Sequence, residues 1–131
     1  MSTPLLQVTQ LHAGYGRAEV LHGLNLEIAA GSFVGIVGPT GSGKSTLLSL
    51  LLRFYDAPPG SLFIDGVAPS AMGDEAFRQA VGLVPQDPFL LAANARENIA
   101  MGRAIDAAAI ETAARAAGAH ELIMRLPQGY D

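Results

Sequence analysis

Gly38-Pro39-Thr40-Gly41-Ser42-Gly43-Lys44-Ser45, followed at once by Thr46, has the form G-x-x-x-x-G-K-S. Upstream of it, Phe33-Val34-Gly35-Ile36-Val37 is a short apolar run of the kind that forms a buried strand. Downstream, residues 44–55 carry Leu47, Leu48, Leu51 and Phe54 at helical spacing. Strand, glycine-rich loop and helix start, in that order, point to an α/β core whose loop wraps anionic oxygens. Gly41 and Gly43 let backbone N–H groups turn inward where bulkier residues would stand in the way. The helix start adds its own unpaired N–H groups and the positive end of its dipole. Lys44, the only lysine in the chain, would supply a point charge toward β- and γ-phosphates, and the Ser45 hydroxyl a place on Mg²⁺.

Composition narrows the class. The chain has 131 residues, half of them hydrophobic and 15% charged, which suits one globular domain or part of one. A net charge of −4, with seven scattered arginines, leaves no basic stripe to neutralise a nucleic-acid backbone. Without cysteine there are no disulfides, thiolate metal sites or thiol catalysis. His12, His22 and His120 lack metal-ligand spacing. No apolar run approaches the roughly 18 residues of a membrane span, and Met1-Ser2-Thr3-Pro4 opens without a signal region, so the chain is expected to be soluble or peripheral.

Residues 5–11 and 19–28 read as two strands, with Gly14-Tyr15-Gly16 breaking between them. Tyr15, flanked by glycines, either packs on a flat ligand or covers a sheet edge. The helix after the loop is expected to run until Asp56-Ala57-Pro58-Pro59-Gly60 stops it, buried beneath a nearly all-round leucine coat. Leu62-Phe63-Ile64-Asp65-Gly66-Val67 reads as a strand entering an Asp-Gly turn, although three apolar residues before Asp65 also imitate a magnesium-orienting carboxylate strand. A helix capped by Asp74 runs to Ala80. A short buried strand, Val81-Gly82-Leu83-Val84, then meets Pro85-Gln86-Asp87-Pro88. Gln86 stands between two prolines at a strand's end, where it is either a ligand contact or a solvated turn residue. Helices are expected over 94–100, over 106–117 with Asp106 as cap and Gly118 past the end, and over 121–126.

Taken together, these residues resemble the ATP-binding domains of ABC transporters, within them the exporter type. The motifs that carry the resemblance follow the family's order and spacing across nearly the whole chain: Val20-Leu21-His22-Gly23-Leu24-Asn25-Leu26, the Walker A sequence Gly38 to Thr46, Arg53-Phe54-Tyr55-Asp56, Ile64-Asp65-Gly66, Val84-Pro85-Gln86-Asp87-Pro88, Glu97-Asn98-Ile99 and Leu126-Pro127-Gln128-Gly129-Tyr130-Asp131. The resemblance implies a RecA-like P-loop NTPase core with the antiparallel β subdomain of ABC ATPases over 1–90 and the start of a helical subdomain over 91–131. It implies ATP and Mg²⁺ as cofactors. Tyr15 would stack on adenine, and Gly38, Pro39, Thr40, Gly41, Ser42, Gly43, Lys44, Ser45 and Thr46 would hold the phosphates. Ser45 and Gln86 would stand at the metal, with Gln86 also approaching the attacking water and linking the site to a membrane domain. Asp65 would fall in the antiparallel hairpin and not at the metal.

The implied partners are the transmembrane domain of an exporter and a second nucleotide-binding domain, with no nucleic acid. The implied place is the cytoplasmic face of the cell membrane. Asn94-Ala95-Arg96 departs from the Thr or Ser with Ile or Val that exporters often carry before Glu-Asn-Ile. The family's Walker B Asp and catalytic Glu, its signature sequence, its D-loop and its switch histidine have no match in these 131 residues. The chain is therefore expected to be truncated before the signature motif, to bind nucleotide and to be inactive alone. A non-transport ABC ATPase, a kinase using Asp65 and a regulatory nucleotide-binding module are the alternatives.

Overall fold

A computed structural model describes residues 2–131, which form two compact units dividing between Leu83 and Val84. In the first unit, β1 (Leu6–Tyr15) and β2 (Ala18–Ile28) form an antiparallel hairpin, and β3 (Leu62–Ile64) pairs antiparallel on the other side of β1, giving the order β2-β1-β3. The hairpin closes through Gly16 and Arg17, with Tyr15 opposite Ala18. The strands therefore run through Gly14 and Tyr15, where the glycines led us to expect a break. Gly14 is needed for close approach: a Cβ there would stand 2.0 Å from the Ala18 carbonyl oxygen. β1 carries an irregularity after Val8, where Gln10 turns left-handed (φ 45°) and its N–H is satisfied by Asn25 Oδ1 at 2.9 Å.

One helix, α1 (Lys44–Leu51), packs on this sheet. Thr46, Leu47 and Leu50 are its buried positions, and Leu47 and Leu50 join Val8, Leu11, Leu21 and Leu62 in one apolar cluster. Leu48 stays exposed, so the leucine coat is not buried all round. Nor does the helix persist to residue 55. The Arg53 N–H bonds the Leu50 carbonyl at 3.2 Å and the Phe54 N–H bonds the Ser49 carbonyl at 2.9 Å, which is the Schellman ending, with Arg53 left-handed (φ 62°) in the place glycine usually takes. Asp65 and Gly66, both at positive φ, form a two-residue turn that Ile64 and Val67 close with reciprocal bonds of 2.8 and 3.0 Å. α2 (Asp74–Ala80) has Gly73 at its N-cap, with Asp74 in its first turn where the capping residue was expected. The Arg53 guanidinium sits 4.7 Å from the Phe77 ring centroid and pairs with Asp74 at 3.3 Å.

Two expected strands do not form. Residues 33–37 and 81–84 make no ladder with any described strand, and Phe33, Val37, Leu83 and Val84 are exposed where burial was expected. An apolar run becomes a strand only when a neighbour takes its N–H and C=O groups, and among the described residues the one sheet lies elsewhere.

The second unit holds α3 (Ala95–Ala100), α4 (Ala107–Ala116) and α5 (His120–Met124). Asn94 accepts from the Glu97 N–H at 2.8 Å while Glu97 accepts from the Asn94 N–H at 3.3 Å, a complete capping box. Asn98 ties the preceding loop by bonding the Leu91 N–H and the carbonyls of Leu91, Ala93 and Asn94. Asp106 caps α4 through the Ala109 N–H at 2.7 Å, and Ile110 and Ala114 are the buried residues of that helix. Arg96 pairs with Asp131 at 2.9 Å, and His120 Nδ1 lies 2.7 Å from the Tyr130 hydroxyl. No helix among the described residues is long and apolar enough to cross a membrane.

Candidate functional site

The loop ahead of α1 is built by local bonds. The Ser42 N–H donates to the Pro39 carbonyl at 3.1 Å, and the Leu47 N–H donates to the Gly43 carbonyl at 3.0 Å, starting the helix. Gly43 is the N-cap in the left-handed region (φ 99°), and a Cβ there would lie 2.6 Å from Leu21 Cδ2. Only glycine satisfies both the backbone angle and the contact with β2. No side chain caps α1, and no acidic residue stands in its first turn. The first N–H groups of the helix thus keep their donors free, and the dipole end is not neutralised. The Lys44 ammonium folds back over the loop, donating to the Gly38 carbonyl, to the Pro39 carbonyl at 3.1 Å and to Ser42 Oγ at 3.4 Å. Those oxygens hold the charge at the loop's mouth without neutralising it, as a carboxylate would.

Tyr15, Val20 and residues 39–46 line a groove of about 360 Å³ beside this loop, within the usual size of small-molecule sites. Tyr15 enters because the β1–β2 hairpin ends there. Its hydroxyl accepts from Thr46 Oγ1 at 3.4 Å, and its ring meets Tyr55 edge-on, with centroids 6.0 Å apart and planes at 82°. The groove lining contains no Asp or Glu. The structure thus brings together Tyr15 and the loop residues singled out by the sequence. Gln86 belongs to the second unit, exposed at a bend, and Asp65 is used up in its turn. Tyr55 escaped the sequence reading as a neighbour of the site, because the helix was expected to continue through its position. Among the described residues no cluster of three His, Asp or Glu could hold a metal ion.

A strand hairpin bearing an aromatic, set against a glycine loop at an uncapped helix start, defines a phosphate-loop nucleotide-binding domain. Residues 21–129 match the ABC transporter family, and the chain belongs to it. Over 120 residues the chain is 48% identical to an ATM1-type heavy metal exporter of Novosphingobium aromaticivorans, covering 90% of this chain and 20% of that protein. It is 44% identical over 119 residues to an ATP-dependent lipid A-core flippase of Chromohalobacter salexigens, covering 90% of this chain and 21% of the flippase. A solved structure of a bacterial Atm1-family ABC exporter with ATP bound superposes with a TM-score of 0.81 at 45% identity, over 98% of this chain and 23% of that one. The fold is that of an ABC ATPase, and the chain spans about a fifth of the length of these relatives.

Proposed function

We propose that the chain is the MgATP-binding portion of an ABC exporter's ATPase domain, with Tyr15 stacking on adenine and residues 38–46 holding the phosphates. The observation that carries this is the groove itself: free helix N–H groups, the Lys44 ammonium and the Tyr15 ring converge on one space with no opposing carboxylate. Phosphate oxygens would replace the Gly38 and Pro39 carbonyls as acceptors for Lys44, exchanging neutral partners for charged ones. Mg²⁺ fits as a cation that arrives with the nucleotide, held mainly by phosphate oxygens and water, with the hard oxygen of the Ser45 hydroxyl as a protein ligand. Bound there, it would neutralise charge between the β- and γ-phosphates.

What these residues do chemically is bind and orient. No carboxylate lines the groove, so its lining supplies phosphate binding and no general base for an attacking water, and binding without turnover is the behaviour expected of these residues. In the whole protein, two such domains would close over nucleotide and drive a transmembrane partner from the cytoplasmic face, with Gln86 at the coupling surface. By their names these relatives are a heavy metal exporter and a lipid A-core flippase, and export is the reading we extend to the protein that contains this chain. The test is equilibrium binding of MgATP with phosphate release followed in the same sample. Binding without release is expected, weakened about 10- to 100-fold in Lys44→Ala because a charge-assisted bond to phosphate is lost. Unchanged affinity in that variant would overturn the assignment.

A further inference from the structure

Tyr15 lines two cavities. One is the groove shared with the phosphate loop. The other, of about 480 Å³, is bounded by His12, Gly14, Leu50, Tyr55, Asp56 and Pro58 as well as by Tyr15 and Thr46. An exposed ring between two open spaces has room to rotate away from either, and Tyr15 is about half exposed. Two contacts oppose that rotation. Thr46 Oγ1 holds the hydroxyl end at 3.4 Å, and Tyr55 stands edge-on at 6.0 Å on the side of the second cavity. Tyr55 is there because α1 ends early. The left-handed Arg53 turns the chain back, and Asp56 and Ala57 then lead away from the helix.

We infer that Tyr55 is a positioning residue for the nucleobase: standing edge-on at the wall of the second cavity, it opposes rotation of the Tyr15 ring into that cavity and so keeps the ring presented to the groove and to adenine. The inference rests on the MgATP reading above and adds to it a residue that touches no nucleotide. Holding the ring in advance removes an ordering cost from binding, and that gain applies only to ligands that carry a base. Inorganic triphosphate, which uses the loop alone, is indifferent to it.

The experiment compares affinities for MgATP and for Mg-triphosphate in the 131-residue chain and its variants. Tyr55→Ala is expected to weaken MgATP about three- to tenfold, the size of one aromatic pair, and to leave triphosphate unchanged. Tyr55→Phe, which keeps the ring, is expected to retain wild-type affinity for both. Should Tyr55→Ala fail to fold, Tyr55→Val, which stays apolar but is too short to reach the Tyr15 ring, carries the same comparison. Equal weakening of both ligands would reduce Tyr55 to a structural role, and unchanged MgATP affinity would remove the brace. Tyr15→Ala separates the two layers. If it weakens MgATP while Tyr55→Ala does not, only the brace fails, and if it leaves MgATP unaffected, base stacking at Tyr15 and the brace fall together.

Discussion

Arg53 occupies a position that favours glycine, and its side chain explains why it is tolerated. A non-glycine residue at φ 62° carries a backbone cost of about 1–2 kcal/mol, against which stand the Phe77 ring at 4.7 Å and the Asp74 carboxylate at 3.3 Å. Replacing Arg53 by Ala removes those contacts and keeps the strain, whereas Gly removes both. Arg53→Gly is therefore expected to be more stable than Arg53→Ala by about 1 kcal/mol, read from urea denaturation midpoints. Equal midpoints would mean that the turn stores no strain. On the hairpin, the Glu19 carboxylate accepts from His12 Nδ1 at 2.6 Å and His22 Nδ1 at 2.9 Å. These bonds, His12 first, hold its pKa below the ordinary 4.5. A carboxylate with a depressed folded pKa stabilises the fold above its unfolded value and loses that contribution as pH falls through the folded one. Acid should thus loosen the hairpin below about pH 4.5, modestly because the group is exposed, and Glu19→Gln should remove that part of the pH dependence. A pH titration of stability that is the same in wild type and variant would refute this.

Among the elements, α3 shows how a short helix lives on its ends. Its six residues include no buried side chain, so the capping box of Asn94 and Glu97 supplies what burial does not. Asn94→Ala should cost about 1 kcal/mol and speed amide exchange at Glu97 and Asn98, while leaving α4 protected. Local chemistry of this kind was legible in the sequence: Asn94 and Asp106 at helix starts, the Asp65-Gly66 turn, and the loop from Gly38 to Ser45 each carry their signal within a few residues. What could not be read was whatever depends on distant partners. Residues 33–37 have the composition of a buried strand, yet periodicity cannot say whether a neighbouring strand is present to pair with it. The end of α1 misled for a related reason. Leu51 and Phe54 continue a helical spacing, but the Schellman bonds and the Arg53 ties to α2 win over it. That one shift put Tyr55 beside Tyr15, a contact that spacing along the chain does not reveal.

At the scale of the molecule, the balance of apolar surface sets the behaviour of the chain in solution. Among the described residues nine apolar ones are buried, while nineteen large hydrophobic residues are exposed, among them Phe33, Val37, Val84, Phe89 and Leu90. A core that small leaves little margin over the conformational entropy lost on folding. Residues 33–37 also combine exposed apolar side chains with backbone groups that no described strand pairs, which is the arrangement that recruits another chain. The 131-residue chain by itself is thus expected to be marginally stable, to bind a hydrophobic dye strongly and to associate as its concentration rises. Val37→Lys, at a residue that is 93% exposed, should reduce association without touching the buried cluster, because a lysine on an open edge opposes pairing. Analytical ultracentrifugation across a concentration series checks this directly. A monomeric wild-type chain that melts cooperatively at high temperature would show that the exposed run is harmless and that the small core suffices.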